Sequence, residues 1–298
     1  ACHAYSHKPL YSMDQREFER ELGKSLELLA DYNPVGFRAP SFSLSNRTKW
    51  ALESLEKYGF QYRNRITIWK EPLKVRMRTM VKSLMHKLIV EDSTQCFTAM
   101  PDYVLVMTKK GDNAVPVTHP NGLKRYFGDT PILPNILRAF NNANESKFTE
   151  QELWEYLQNN YKDHQDPKSN KLSHYIWQRY ASSVWDDIRI DNVLPFRDSR
   201  EEDDEKHVHP LQLDVIDRLV ELYSNEGEVV LTPFMGVGSE VYSPVSMGRK
   251  AIGIELKDSY FKQARINIEL APKRFTSESG FTQEALFDPE TYQDLETA

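Results

Sequence analysis

The sequence predicts an α/β chain built around a parallel strand–helix–strand unit, and three observations carry that prediction. The run 231–256, LTPFMGVGSEVYSPVSMGRKAIGIEL, reads as strand, glycine turn, helix and strand. The second strand ends in an acidic residue, Glu255, 19 positions after Gly236. The 298 residues are 40% hydrophobic, enough for one large core or two small ones.

The elements follow in order. Residues 49–62, KWALESLEKYGFQY, read as a helix, a glycine stop and a Phe-x-Tyr entering a strand. FTEQELWEYLQNNY, 148–161, has amphipathic helical spacing. Glu228 to Thr232 is a short apolar, β-rich run, and Phe234 to Glu240 is a tight turn. A helix from Ser239 to Met247 is closed by Gly248 at its C′ position. Ala251 to Ile254 is a second buried strand. Pro244 falls inside the turn-following helix, where it removes a backbone hydrogen bond at a cost of about 3 kcal/mol unless the helix kinks or shortens.

Gly236 and Gly238 let backbone approach a ligand where a Cβ would clash. The spacing to Glu255 is close to that at which a carboxylate takes ribose hydroxyls in dinucleotide folds. No Lys follows the glycines, so a phosphate-cradling loop is excluded, and adenosine without a phosphate chain is the favoured ligand. The plainer reading of such a turn is a tight βα connection with no ligand.

From about Gly59 to Leu270 the chain resembles phage and bacterial DNA methyltransferases that act on the exocyclic amino group of adenine or cytosine. The pieces are ITIWKEP (66–72), MPDYVLVMTKKGDNAVPVTH (100–119), YASSVWDDIRIDNVLPF (180–196), DEKHVHPLQLDVIDRLVELYS (204–224), PFMGVGSE (233–240) and GRKAIGIELKDSYFKQARIN (248–267). The resemblance implies a Rossmann-like methyltransferase sheet, incomplete here, and S-adenosylmethionine as cofactor. It places Phe234, Gly236 and Gly238, with Ser239 beside them, around the methionine part of the cofactor, and Glu255 on its ribose. The segment beginning His209-Pro210 would start a helix capping the pocket, with Pro210 at the first helical position. It also implies double-stranded DNA as partner, restriction-modification as setting and target recognition within about 126–182. Two features depart from the pattern: Asn192-Val193-Leu194 stands where Asp-Val-Leu is usual, and no Pro-Pro dipeptide occurs in the chain. In the family a Pro-Pro-aromatic loop orients the target amine and stacks on the flipped base. No catalytic residue is therefore assigned, and activity is expected to be impaired.

The first sixty-odd residues resemble a fragment of a polysaccharide deacetylase, through CHAYSHKPLYSM (2–13), the helix 16–32, VGFRAPSFSLS (35–45) and residues 49–62. That resemblance implies a βα piece of a deacetylase-type barrel over 1–62, with His3 and His7 as zinc ligands and Arg38 positioning a catalytic carboxylate. Two His without a third ligand make a poor catalytic zinc site. The expected organisation is a deacetylase-like 1–62, a methyltransferase-like 63–275 with its cofactor part at 204–270, and an acidic tail at 276–298. The rival functions are a zinc-dependent polysaccharide deacetylase and a non-catalytic chimeric remnant. Ala1 in place of an initiator Met points to a fragment or a recombined frame.

Charge is unevenly spread. The net charge is −6, yet residues 63–87 hold eight Lys and Arg against Glu71 alone. Arg63, Arg65, Lys74, Arg76 and Arg78 of this stripe are the candidates for phosphate contact; a solvated helix face is the alternative. The interval 126–179 interleaves Trp154, Tyr156, Tyr161, Tyr175 and Trp177 with basic residues. It reads either as a recognition surface or as a helical insertion with its own aromatic core. No apolar run reaches membrane-spanning length and only Cys2 and Cys96 are cysteine, which fits a reducing cytoplasm.

Overall fold

In a computed structural model of the chain, residues 10–28, 30, 50–111, 115–129, 132–163, 168, 170–196, 199 and 210–275 are described. The strands among them form a three-stranded sheet and a separate two-stranded one. The first lies in a unit comprising Ala1–Ala114 and His119–Arg189, the second in a unit comprising Val115–Thr118 and Ile190–Ala298. The α/β class stands. The single Rossmann-like sheet does not form among the described residues, because only two strands flank the glycine turn and the others pair elsewhere.

In the first unit, α1 (Gln15–Leu28) starts at Asp14, whose carboxylate accepts the Glu17 N–H at 2.7 Å. Phe18 and Leu22 sit one turn apart and pack with Ala51 and Leu55 of α2 (Trp50–Lys57), and with Phe60. Glu19 ties the two helices, accepting from Lys57 at 2.7 Å and Ser54 at 3.2 Å. Gly59, at φ +85°, then turns the chain into β1 (Phe60–Ile68), as the sequence predicts. The connection that follows holds α3 (Pro72–Thr79) and α4 (His86–Glu91). It leads to β2 (Asp102–Lys109), which pairs antiparallel with β1, the register shifting between Tyr62 and Asn64. The expected barrel fragment is not shown: residues 1–9, 29 and 31–49 lie outside the described ones, and the long partner of β1 is antiparallel.

Beyond β2 come α5 (Pro134–Asn144), α6 (Glu150–Asp163), α7 (Lys171–Tyr180) and β3 (Val184–Trp185), which joins β1 in parallel. α7 is capped by the Asn170 side chain on the Ser173 N–H at 3.0 Å. Its buried face, with Tyr175, Ile176 and Tyr180, meets Tyr126 and Trp154 in an aromatic cluster. Arg179 crosses this core to Tyr126 at 3.0 Å, Asp186 at 2.9 Å and Asp187 at 3.0 Å, and the Tyr126 hydroxyl donates to Asp187. Burial pushes the Tyr175 phenol well above its ordinary range. Of the aromatics read as a recognition surface, Tyr175 is therefore core and Trp177 exposed. Tyr126, Trp154, Tyr175 and Tyr180 thus form an aromatic core of their own.

The second unit contains α8 (Leu213–Tyr223), β4 (Val229–Thr232), α9 (Ser239–Ser246), β5 (Lys250–Gly253) and α10 (Asp258–Glu269). α9 carries Pro244 and stops two residues later, where the Met247 N–H bonds the Ser243 and Pro244 carbonyls and Gly248 takes φ +79°. The core of this unit joins Leu194, Leu213, Val237, Tyr242 and Ala271, with a second cluster of Met235, Val241 and Ala264.

Candidate functional site

β4 and β5 run parallel, from Val229 opposite Lys250 to Thr232 opposite Gly253, with α9 as the crossover. Such a unit opens a crevice beyond the carboxyl ends of its strands. The turn there is fixed by Met235, whose N–H donates to the Ile254 carbonyl at 2.9 Å. The Gly238 N–H in turn donates to Met235 O at 2.8 Å.

The two glycines do different jobs. Gly236 sits at φ +54° and a Cβ there would meet nothing within 4 Å, so its bare face opens into space. Gly238 sits at φ +98° and a Cβ there would lie 3.2 Å from Ala264 Cβ and 3.3 Å from its Cα. Gly238 is accounted for by the close approach of α10, without any ligand. Gly238→Val combines that clash with a disfavoured φ, and we expect a loss of about 2–4 kcal/mol in a urea melt. Stability within about 0.5 kcal/mol of the parent would show that α10 gives way freely.

Glu255 is held across the turn by two backbone donors. One carboxylate oxygen accepts the Gly236 N–H at 2.8 Å, the other the Lys257 N–H at 2.9 Å. Both oxygens keep lone pairs for a further donor. Ser239, first residue of α9, is 2% exposed, and its hydroxyl has no hydrogen-bond partner among the described residues. Phe234 lies half-buried at the start of the turn. Leu256, beside Glu255, is 91% exposed. A fixed carboxylate acceptor, an open glycine face, an unsatisfied buried hydroxyl and an exposed apolar side chain are groups suited to a nucleoside with ribose hydroxyls and an apolar base face.

Several residues that support this site are invisible to local sequence patterns. Asn267 of α10, buried, donates to Val237 O at 2.9 Å and Pro195 O at 3.1 Å, pinning the turn to the 190–196 segment. Asn192 donates to the buried Asp214 carboxylate at 2.8 Å, and its carbonyl accepts the Leu213 N–H at 2.9 Å. The Asn-for-Asp departure has a physical reason here: an aspartate at 192 would set two carboxylates against each other. The same Leu213–Asn192 bond moves the helix start. α8 begins at Leu213 with Gln212 extended at its N-cap, so Pro210 lies ahead of the helix rather than at its first position. His209 lies outside the described residues.

Below the turn, Arg274 grips Asp217 of α8 with two hydrogen bonds of 2.9 and 2.6 Å, both side chains buried. Burial pushes the Asp217 carboxyl up, and the guanidinium opposes it only in part. Burial also works against the Arg274 charge, but Asp217 more than restores it. Arg274 also lies over the Tyr242 ring at 5.3 Å, so the clamp joins α8 and α9 to the segment after α10.

The other expected sites fare differently. His3, His7 and Arg38 lie outside the described residues, as does the acidic tail 276–298. Among the described residues no cluster of three His, Cys, Asp or Glu could hold a metal, and no described helix is long and apolar enough to cross a membrane. In the basic stripe Arg63 and Arg65 are exposed on β1. Arg63 donates to Thr108 Oγ1 at 2.8 Å and Arg65 lies 4.9 Å over the Tyr103 ring. Lys74 pairs with Glu71 and Lys87 with Glu91, each at 3.3 Å, while Lys70 meets Asp102 at 2.6 Å. Arg76 is half-buried, and the Arg78 side chain lies outside the described residues.

A DNA methylase family model matches residues 27–265. The DNA adenine methyltransferase YhdJ of Escherichia coli (strain K12) is 30% identical over 108 residues, 36% of this chain and 34% of that protein. The type II methyltransferase M.MthZI of Methanothermobacter thermautotrophicus is 32% identical over 114 residues, 36% of this chain and 30% of that protein. A Thermus thermophilus protein described as a DNA modification methylase, solved with S-adenosyl-L-methionine, gives a TM-score of 0.39 at 18% identity. That alignment covers 76% of this chain and 60% of that one. The chain matches about a third of the length of these curated relatives. The family match opens at residue 27, inside the segment expected to be deacetylase-like, and passes through the expected boundary between residues 62 and 63. The deacetylase and chimera expectations gain no support from these comparisons.

Proposed function

The chain belongs to the DNA methylase family, and from that membership we propose that residues 190–275 form the methyl-donor half of an S-adenosylmethionine-dependent DNA amino-methyltransferase. The observation that carries the proposal is the Glu255 carboxylate, fixed at both oxygens beside the open face of Gly236.

Bound there, S-adenosylmethionine supplies an electrophilic methyl group. Glu255 accepts hydrogen bonds from the ribose hydroxyls, and its two backbone donors hold it in place before the ligand arrives. Gly236 leaves room for the methionine part, the Ser239 hydroxyl gains the partner it lacks, and Leu256 offers an apolar seat to adenine. Asn267 and the Asp217–Arg274 clamp keep the turn from shifting. Positioning is the main contribution a protein makes to such a transfer.

The acceptor side is different. No Pro-Pro-aromatic loop stands in these 298 residues, and none of the described groups assigned to the donor is placed to orient an amine. The chain binds the donor, and transfer to adenine or cytosine in DNA needs acceptor residues from outside it. Phosphate contacts are assigned to Arg63, Arg65, Lys74, Arg76 and Arg78, with salt-dependent affinity for duplex DNA as their signature.

Equilibrium dialysis with labelled S-adenosylmethionine tests the donor assignment. Saturable, weak binding is expected in the parent chain, and Gly236→Trp should abolish it by filling the open face. A parent chain without saturable binding contradicts the proposal.

A further inference from the structure

Between β1 and β2 no described side chain from Trp69 to Met100 is buried. The excursion nevertheless carries large apolar residues: Met77 is 66% exposed, Met80 77% and Phe97 69%. Leu73 and Met77 are one turn apart and share a face of α3. Met80 follows at the helix C-cap, in the left-handed conformation at φ +53°. Exposed apolar surface gathered in one segment marks an interaction site. What covers it must also satisfy charge, because residues 63–87 hold eight Lys and Arg against one acid in a chain of net charge −6. The ion pairs Lys74–Glu71 and Lys87–Glu91 are solvent-exposed, so they are weak and exchange readily for a stronger anion.

Resting on the function proposed above, we infer that this excursion is a DNA wedge. Met77 and Met80 enter a base step of the duplex while Lys74, Arg76 and Lys82 hold the flanking phosphates. Cationic side chains around inserted Met, Leu or Phe are the means by which proteins unstack and bend a duplex. An enzyme that must extrude a base gains from it, since a step already unstacked releases its base at lower cost. Charge selects a polyanion such as DNA over a neutral or basic partner, and the apolar tip distinguishes a wedge from a simple phosphate clamp.

The test uses the full chain and a short duplex carrying 2-aminopurine, whose fluorescence rises when it is unstacked. The parent should raise the signal roughly twofold or more on binding. The exposed pair M77S/M80S should bind with the same salt dependence and lose the rise. Lys74→Gln with Arg76→Gln should instead flatten the slope of log affinity against log salt by about 0.9 per contact removed. An undiminished rise in M77S/M80S overturns the wedge. So does a parent that is dimeric in light scattering and becomes monomeric in M77S/M80S with DNA binding unchanged, for then the face is a protein interface. Duplex binding without any rise in the parent sinks the wedge alone, whereas no salt-dependent binding at all sinks the phosphate assignment beneath it.

Discussion

Incubated with S-adenosylmethionine and unmethylated DNA, this chain alone is expected to transfer no detectable methyl group. Gly236, Ser239 and Glu255 are all assigned above to the donor, and no Pro-Pro-aromatic segment occurs in the 298 residues to orient an amine or stack a base. Fixing two reactants in an attack geometry is worth about 7–11 kcal/mol of barrier. Losing even half of that slows turnover by roughly several hundredfold or more, at about 1.36 kcal/mol per factor of ten. The assay is incorporation of a labelled methyl group into DNA at high protein concentration. Incorporation that disappears in Gly236→Trp would show that residues within the chain do serve as an acceptor site.

The largest stability effect is expected at Arg274. Truncation to Ala leaves the buried Asp217 carboxylate with its principal partner gone, and breaking a buried pair from one side costs about 3–5 kcal/mol. That is a large share of the roughly 5–15 kcal/mol available to a domain. The penalty has a pH signature. Without Arg274 the main counterweight to the burial that raises the folded-state pKa of Asp217 is gone. The neutral carboxyl is then the form the fold tolerates, so stability is retained below the unfolded pKa and lost as pH rises through the folded one. The deficit should therefore be full at neutral pH and shrink on acidification. Denaturant melts of the parent and Arg274→Ala at both ends of that range measure it. The double variant Asp217→Leu/Arg274→Met, which replaces both charges with apolar groups, should recover most of the loss. A pH-independent deficit, or no recovery, would mean that Arg274 acts through its packing on Tyr242 instead.

What could be read from the sequence was local. The strand–turn–helix–strand run announced itself through its glycines and apolar runs, and the elements form in that order. Gly59 ended its helix as expected because a φ of +85° is a demand one residue can state alone. The errors came from partners distant in sequence. Pro210 looked like a helix start until Asn192 was seen taking the Leu213 N–H. Tyr175, in an interval whose sequence fits a recognition surface and a helical insertion equally, lies in a core with Tyr126 and Trp154 that no local pattern shows. Asn267 and Arg274 gave no local signal, since each acts on backbone or charge 30 to 72 residues away. The split into two sheets was equally hidden, because strand pairing depends on which edges meet.

The most direct test of the account is calorimetry on the ribose contact. S-adenosylhomocysteine is titrated into the parent chain and Glu255→Ala, and the experiment is repeated with the analogue lacking both ribose hydroxyls. Two hydrogen bonds to a carboxylate are each worth about 1.5–3 kcal/mol. Glu255→Ala should therefore weaken the complete ligand by at least about tenfold and leave the affinity for the deoxygenated one unchanged. Equal heats for parent and variant with the complete ligand would contradict the assignment of this crevice to the methyl donor.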